Sequence, residues 1–392
     1  PGDGFRVLKH PKKNIIYSEM QGAENVWRFD IDKGLIKTIQ PLPKKGYPKL
    51  RFNWNAPMEI SAYHSNRFYM GSQFVHRSEN MGDTWEIISP DLTTNDPKKQ
   101  LQENSGGLSA DNSGAENHTT IFTIDESPLN PDIIWVGTDD GNIQLSINGG
   151  KKWKNVTPKN KSLPINTWVY HIEASSHNPA IAYAVFDGHT SGDMTPYAYK
   201  TIDYGKTWES IINNNDVIGF VRNIQEDHVN PNLLFLGTEL GLYITVDGGD
   251  KWTRFNNNMP PVAVHFIDLQ KRTNDLVLGT HGRGVIIIDD ISPLRDVNLN
   301  SLKKKLHFFK SKKTVMRDRT NFVGSFGGET RFVGESSSSS AKIKYLLPKR
   351  HTFGKMTLEI KDKEGKTMVS LSPGKSKGIN IVDWGFTIKQ PK

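Results

Sequence analysis

Over the first three-quarters of the chain, short apolar runs recur and each stops at small residues. The clearest are Phe68-Tyr69-Met70-Gly71-Ser72, Ile134-Trp135-Val136-Gly137-Thr138, Leu234-Phe235-Leu236-Gly237-Thr238 and Leu276-Val277-Leu278-Gly279-Thr280. Ile15-Ile16-Tyr17-Ser18 and Ile181-Ala182-Tyr183-Ala184-Val185 are looser copies. Asn-Pro turns precede several of them, at Asn130-Pro131, Asn178-Pro179 and Asn230-Pro231. Apolar runs of this length between turn formers predict buried strands rather than helices.

A second pattern interleaves with the first. Ser78-Glu79-Asn80-Met81-Gly82-Asp83-Thr84-Trp85 returns as Ser146 to Trp153, Thr201 to Trp208 and Thr245 to Trp252, with a decayed copy at Asp30-Ile31-Asp32-Lys33-Gly34. In each full copy an acid or amide (Asn80, Asn148, Asp203, Asp247) stands two residues before Gly, and Trp (85, 153, 208, 252) three after it. The chemistry suits a tight hairpin. The acid or amide accepts from nearby backbone amides, and Gly takes the positive φ of the turn. The hydroxyl ties the preceding strand to the turn, and Trp opens the outgoing strand and packs beneath the loop. These side chains are therefore expected to fold the hairpin rather than catalyse.

Together the patterns read as strand A, turn, strand B, small-residue turn, strand C, octet turn, strand D. Four strands in about 40–60 residues make one propeller blade. About six units are visible, beginning near Phe5, Met58, Phe122, His171, Asn223 and Phe266. The expected fold is all-β: a β-propeller over residues 1–295, a connecting segment over 296–340 and a β-sandwich module over 341–392. With Pro1 in place of Met and no strand that closes the ring, the chain is expected to be part of a larger propeller. Ser336–Ser340 reads as a linker. Beyond it, Ala341–Leu346, Met356–Ile360 and Gly378–Trp384 alternate as strands of a sandwich that is cut short.

Charge modifies this picture in one respect. The formal net charge is +8, but residues 301–392 hold 21 Lys/Arg against 7 Asp/Glu, a net of +14, leaving 29 against 35, or −6, for the rest. The basic character lies in the C-terminal part, where a solvated lysine surface is the simplest reading; no nucleic-acid module accompanies it. There is no cysteine, which excludes disulfides, thiolate metal sites and Cys nucleophiles. No apolar run approaches the roughly 20 residues of a membrane span, so membrane insertion is not expected.

The octets resemble the Asp-box, or BNR, repeats of sialidases, xyloglucan-active glycoside hydrolases and sortilin-type receptors. The resemblance is closer to a bacterial group of large BNR-repeat proteins termed glycosyl-hydrolase-like or sortilin-like. It runs through Asp111–Glu116, Ile134–Gly141, Tyr204–Trp208, Gly237–Tyr243, Gly279–Arg283 and Asp289-Asp290, and covers about residues 60–295. The tail after Ala341 resembles the Ig-like module that often follows such propellers. The resemblance implies an extracytoplasmic bacterial protein, secreted or at the cell surface. It does not imply an activity, because the shared repeats serve folding. The arginine triad and Tyr/Glu pair of sialidases have no counterpart here, and the xyloglucanase acids come from two facing propellers.

Strand alternation puts the octets on one face of the propeller and the B–C turns and D-to-A crossings on the other. Function concentrates in loops on a rigid scaffold, so the second face is the expected ligand-binding face. Its candidates are Glu116, His118, Asp139, Asp140, Asp187, His189, Glu239, His281 and Arg283, with Trp54, Trp168 and Tyr197 as possible stacking platforms. Each has a structural reading as well: Asp139 and Asp140 as turn caps, His281 and Arg283 as blade ties, Arg283 through Asp289 or Asp290. Asp139, Asp140, Glu239, His281 and Arg283 follow the same strand in successive units, so they are expected to share a ring around the channel mouth. Two function classes fit. One is a surface propeller that binds a glycan or a protein partner, such as a component of a secretion complex. The other is a glycoside hydrolase with paired carboxylates drawn from Glu116, Asp139, Asp140, Asp187 and Glu239. No metal-type spacing and no cofactor signature is present.

Overall fold

The computed structural model describes residues 2–101, 116–212, 216–314 and 339–388. The chain divides into two compact units, Pro1–Asp290 and Ile291–Lys392.

The first unit is a β-propeller of antiparallel blades. Blade 1 runs Gly4–Lys9, Ile15–Met20, Val26–Asp30, Leu35–Thr38, and blade 2 runs Met58–Ile60, Phe68–Gly71, Val75–Ser78, Glu86–Ile87. Blade 3 follows with Ile121–Glu126, Ile134–Thr138, Ile143–Ser146 and Lys154–Asn155. Blade 4 comprises Trp168–Ala174, Ala182–Asp187, Tyr197–Thr201 and Glu209–Ser210. Blade 5 comprises Val221–Glu226, Leu234–Thr238, Gly241–Thr245 and Thr253–Phe255. Blade 6 has three strands among the described residues, Ala263–Gln270, Asp275–His281 and Val285–Ile288. In every blade the strands lie in sequence order from the inner edge outward, and the inner strands of successive blades pack side by side. The apolar runs found in the sequence are the second strands. In blades 2–5 they are buried on both faces, between one blade and the next, which is why they read as continuous rather than alternating, whereas those of blades 1 and 6 are buried on one face.

All four octets close the turn between third and outer strand with the same hydrogen bonds. The Ser or Thr hydroxyl donates to the Asn or Asp at 2.9, 3.1, 2.9 and 2.5 Å. That hydroxyl accepts from the octet glycine N–H, and the acid or amide accepts from the N–H two residues past the glycine at 2.8–3.0 Å. The decayed copy keeps part of this: Asp30 accepts from Lys33 N, with Gly34 at φ +63°.

The tryptophan does more than pack beneath its own loop. Its indole N–H donates to a backbone carbonyl of the preceding blade: Trp85 to Ile39 (2.6 Å), Trp153 to Ile88 (2.9 Å), Trp208 to Val156 (2.7 Å) and Trp252 to Ile211 (2.6 Å). The octet glycine abuts the same residue. A Cβ on Gly82, Gly150, Gly205 or Gly249 would lie 2.6–2.9 Å from Ile39, Ile88, Val156 or Ile211. Glycine is thus required twice at this position, for its positive φ and for the approach of the neighbouring blade. A second tie sits at the inner strands. Glu126 of blade 3 accepts from Ser61 and Tyr69 of blade 2, and Glu226 of blade 5 accepts from Ser175 and Tyr183 of blade 4.

The second unit begins with two short helical turns, Ser292–Arg295 and Leu299–Lys303. It continues with a three-stranded sheet ordered His307–Phe308, Ala341–Leu347, Gly378–Trp384. A hairpin of Leu358–Lys361 and Thr367–Leu371 accompanies it, and Tyr345, Leu347, Leu358 and Val382 form its core. Among the described residues no helix is long and apolar enough to cross a membrane.

Trp208→Ala should lower stability by about 3–5 kcal/mol, as large core deletions do. Trp208→Phe should lose chiefly the inter-blade hydrogen bond, about 1 kcal/mol. Gly205→Ala, at φ +73° and facing Val156, should cost about 1–3 kcal/mol. Chemical denaturation checks all three, and a Trp208→Ala variant that unfolds like the parent would contradict the inter-blade role.

Candidate functional site

Each inner strand runs from the loop-bearing face to the octet face, so its first residues surround one mouth of the axis and its last residues the other. At the loop-bearing mouth the inner strands of blades 1, 3 and 4 carry an aromatic residue in first or second position. Phe122 packs on Trp168 (5.2 Å between ring centroids) and Tyr170 (4.9 Å), and Phe5 meets Trp54 edge-on at 6.5 Å. Arg6 reaches from blade 1 to the Phe122 carbonyl of blade 3 at 3.4 Å, with its guanidinium 5.6 Å from the Phe266 ring of blade 6.

Charged groups are fixed among these rings. Buried Asp187, at the end of its strand, accepts from the backbone N–H of His189 at 2.9 Å. It also holds His189 Nδ1 at 2.8 Å and pairs with Arg222 at 3.1 Å. The Arg222 guanidinium is sandwiched 4.4 Å from the Tyr170 ring and 4.9 Å from Phe220, and the His189 ring stacks on Phe220 at 4.5 Å. His265 stacks on His281 at 5.2 Å. Burial, followed by the charge of Arg222, pulls the His265 pKa down to about 4, so that ring is neutral at physiological pH. His118 accepts from Trp168 Nε1 at 3.4 Å and stands 3.9 Å from Asp139.

The structure brings some of the expected residues together and seals others. His118 and His189 are partly exposed, beside Trp168 and Phe220 respectively, Asp187 is buried beneath His189, and His281 is exposed beside His265. Asp139 and Asp140 face inward, with 0% and 1% of their surface accessible. Asp139 accepts from Thr120 N (2.9 Å), Thr120 Oγ1 (2.5 Å) and Asn53 Nδ2 (2.9 Å). Asp140 accepts from Thr94 N (2.7 Å), Thr94 Oγ1 (2.6 Å) and Thr138 Oγ1 (2.5 Å). These two carboxylates tie the B–C turn of blade 3 to the neighbouring crossings. Tyr197 donates to Asp193 at 2.8 Å within the loop between Asp187 and Tyr197. Glu239 is half-buried beside Gly219, whereas Glu116 and Arg283 are exposed. Asp111–Ala115 lies outside the described residues. Asp139 and Glu239 hold equivalent positions, each N–H donating to the carbonyl before its own inner strand (Thr120 and Phe220). The octets lie at the opposite ends of the strands: Gly149 and Gly248 donate to Asp132 and Asn232 in the A–B turns.

At the other end of the axis lies a ring of acids that the candidates above omit. Glu59, Asp125, Glu173 and Asp268, with Lys271, line a cavity of about 230 Å³. The repeat that encodes it is visible in the sequence as Ile124-Asp125, Ile172-Glu173, Ile224-Gln225 and Ile267-Asp268. These acids occupy open strand edges. Asp125 accepts from Ala174 N at 2.5 Å, and Glu173 from Gln225 Nε2 at 2.5 Å and Glu226 N at 3.4 Å, each reaching the next blade's inner strand. Burial, reinforced by the neighbouring acids, raises the Glu59 and Asp125 carboxyls well above the usual range and Glu173 to about 8. Among the described residues no group of three or more His, Asp or Glu is placed to hold a metal ion.

No family model and no curated protein matches the sequence. Solved structures resemble it in part. An ancestral GH74 enzyme shares 16% identity and a TM-score of 0.40, over 80% of this chain and 37% of the enzyme. The GH74 enzyme of Niastella koreensis shares 13% identity and a TM-score of 0.43, over 88% of this chain and 58% of the enzyme. The extracellular domain of a hybrid two-component system protein of B. thetaiotaomicron shares 13% and 0.46, over 72% of this chain and 32% of that one. The chain therefore spans less than two-thirds of the length of each of these proteins.

The acid ring sets a pH dependence. A carboxyl whose folded pKa is raised contributes stability that is complete below its unfolded pKa and lost as pH rises through its folded one. For Glu173 that window runs from about 4.5 to about 8. The melting temperature should fall across it, and Glu173→Gln should flatten the profile. A parent whose melting temperature stays level from pH 5 to pH 8.5 would contradict the assignment.

Proposed function

We propose that this propeller is a glycan-binding protein whose ligand seats at the loop-bearing mouth of the axis. The observation that carries the reading is the alternation there of aromatic rings with oriented polar groups. Trp54 and Trp168 offer apolar faces, while Arg222, His189 and His118 offer hydrogen-bonding groups between them. Sugar rings present apolar C–H faces edged by hydroxyls, and a site of this composition complements both. The Asp187–His189–Arg222 cluster holds its donors in fixed directions, which limits the entropy lost on binding.

A hydrolytic reading is less well supported. Glycoside hydrolysis needs two accessible carboxylates about 5–10 Å apart across the scissile bond. Asp139 and Asp140 are sealed by three hydrogen bonds each, and Asp187 is committed to His189 and Arg222. Of the acids expected to form a catalytic pair, only Glu116 and Glu239 reach solvent. Within this proposal the octets are Asp boxes in the BNR sense, the second unit is an Ig-like module and the protein acts outside the cytoplasm.

Glycan-array screening followed by calorimetry tests the reading. Trp54→Ala and His189→Ala should each weaken the glycan that the parent binds by about tenfold, equivalent to about 1.4 kcal/mol. Their melting temperatures should stay close to that of the parent. Glycan affinity unchanged in both variants would exclude the mouth as the site. Release of reducing sugar that depends on Glu116 or Glu239 would restore the hydrolytic reading.

A further inference from the structure

A cleft of about 710 Å³ lies at the rim of the propeller, where the outer strand of blade 3 meets the octet of blade 4. Lys154, Lys159, Lys161 and Lys206 line it, together with Asn155, Thr157, Asn160 and the ring of Trp208. Among the described residues no carboxylate lines the cleft. All four lysines are exposed, and none is paired with an acid among the described residues. The basic character is local. Residues 151–161 contain five lysines and no acid, although residues 1–300 carry a net charge of −6 (29 Lys/Arg against 35 Asp/Glu).

The walls of the cleft are rigid. Trp208 donates to the Val156 carbonyl at 2.7 Å and meets Trp135 edge-on at 6.0 Å, so the indole is fixed in the junction between blades. Asn155 accepts from Thr157 at 2.8 Å, and Asn160 from Ser162 at 2.9 Å, which orders the loop between the lysines. Flexible ammonium groups are thus mounted around a fixed concavity whose floor is part aromatic and part amide. Its volume falls in the range of small-ligand sites, about 300–1,000 Å³, far larger than a single anion requires.

We infer that this cleft binds an acidic saccharide, a chain of sugar rings bearing sulfate or carboxylate groups, at a site separate from the axial mouth. Lysine ammonium groups meet such anions as point charges. The neutral Asn and Thr groups between them suit ring hydroxyls, and the indole suits a ring face. Nucleic acid is less well matched. Single strands call for aromatic platforms spaced for successive bases, and here one ring is present, held at its N–H edge. The inference stands independently of the mouth, because no lining residue is shared.

Calorimetry on the full chain with sulfated dextran, uncharged dextran of the same length and poly-dT decides the matter. Sulfated dextran should bind, uncharged dextran should not, and affinity should fall about tenfold between low and moderate salt as screening shortens the reach of the lysines. The combined variant Lys159→Gln, Lys161→Gln and Lys206→Gln should weaken sulfated dextran at least about tenfold, the loss expected when several charge contacts go. Its melting temperature should not change, since exposed lysines carry little stability. Lys375→Gln with Lys377→Gln, in the basic second unit, should leave binding intact, and so should Trp54→Ala at the mouth. Three outcomes would overturn the inference: equal binding by the triple variant, loss in the Lys375/Lys377 variant instead, or tighter binding of poly-dT through the same three lysines. Loss of array binding in the mouth variants, with sulfated dextran unaffected, would leave both sites standing.

Discussion

The junction between one blade and the next is where this fold is held together. A four-stranded blade is too thin to bury its own second strand, so every apolar run depends on a neighbour being seated at the right distance. The octet sets that distance. Its glycine permits contact with one residue of the preceding blade, and its tryptophan donates to that same residue's carbonyl. Because an indole N–H buried without an acceptor is costly, the bond favours one docking depth. The same device recurs at four junctions, and at two of them Glu126 and Glu226 add a second tie near the axis.

Once the junctions are set, the two ends of the axis acquire different chemistry without further instruction. At the loop-bearing end aromatic residues of three inner strands gather, and Tyr170 and Phe220 flank the Asp187–His189–Arg222 cluster. Those at the octet end are acidic and satisfy the open edge of the next blade. Of the acids at that end, Glu59, Asp125 and Glu173 have their carboxyls pushed above the usual range by burial and by neighbouring acids. They therefore couple stability to pH rather than serve as a ready pair of ionised carboxylates. At the loop-bearing end Asp187 pairs with Arg222 and His189, so those polar groups are compensated and held in fixed directions.

Substantial parts of this organisation are legible in the chain. The runs around Trp135 and Leu236 mark second strands because two-sided burial demands continuous apolar character. The Ser/Thr, Asn/Asp and Gly positions mark the turn because its hydrogen bonds are local, made within five residues. The loop-bearing face follows from strand alternation alone, which puts Asp187, His189, His118 and Trp168 at the strand ends away from the octets. The acid ring was legible too, as an acid or amide after Ile in four inner strands, but it becomes informative only when those strands are known to converge on one axis.

What the sequence by itself determined is local: where strands begin and end, which turns need glycine, and which face each turn occupies. Those features depend on interactions between residues close along the chain, and a repeat restates them until they are unambiguous. What only the tertiary structure decided is partnership across blades. Asp139 meets Asn53 and Asp140 meets Thr94, so two acids that resemble a catalytic pair are consumed as turn braces. Trp208 meets Val156, and four lysines from two blades border one cleft. Those pairings join residues about 45–85 positions apart, and no local pattern specifies them. They arise because rotation about a common axis brings equivalent positions of successive blades into register, a constraint that acts only once the blades have assembled.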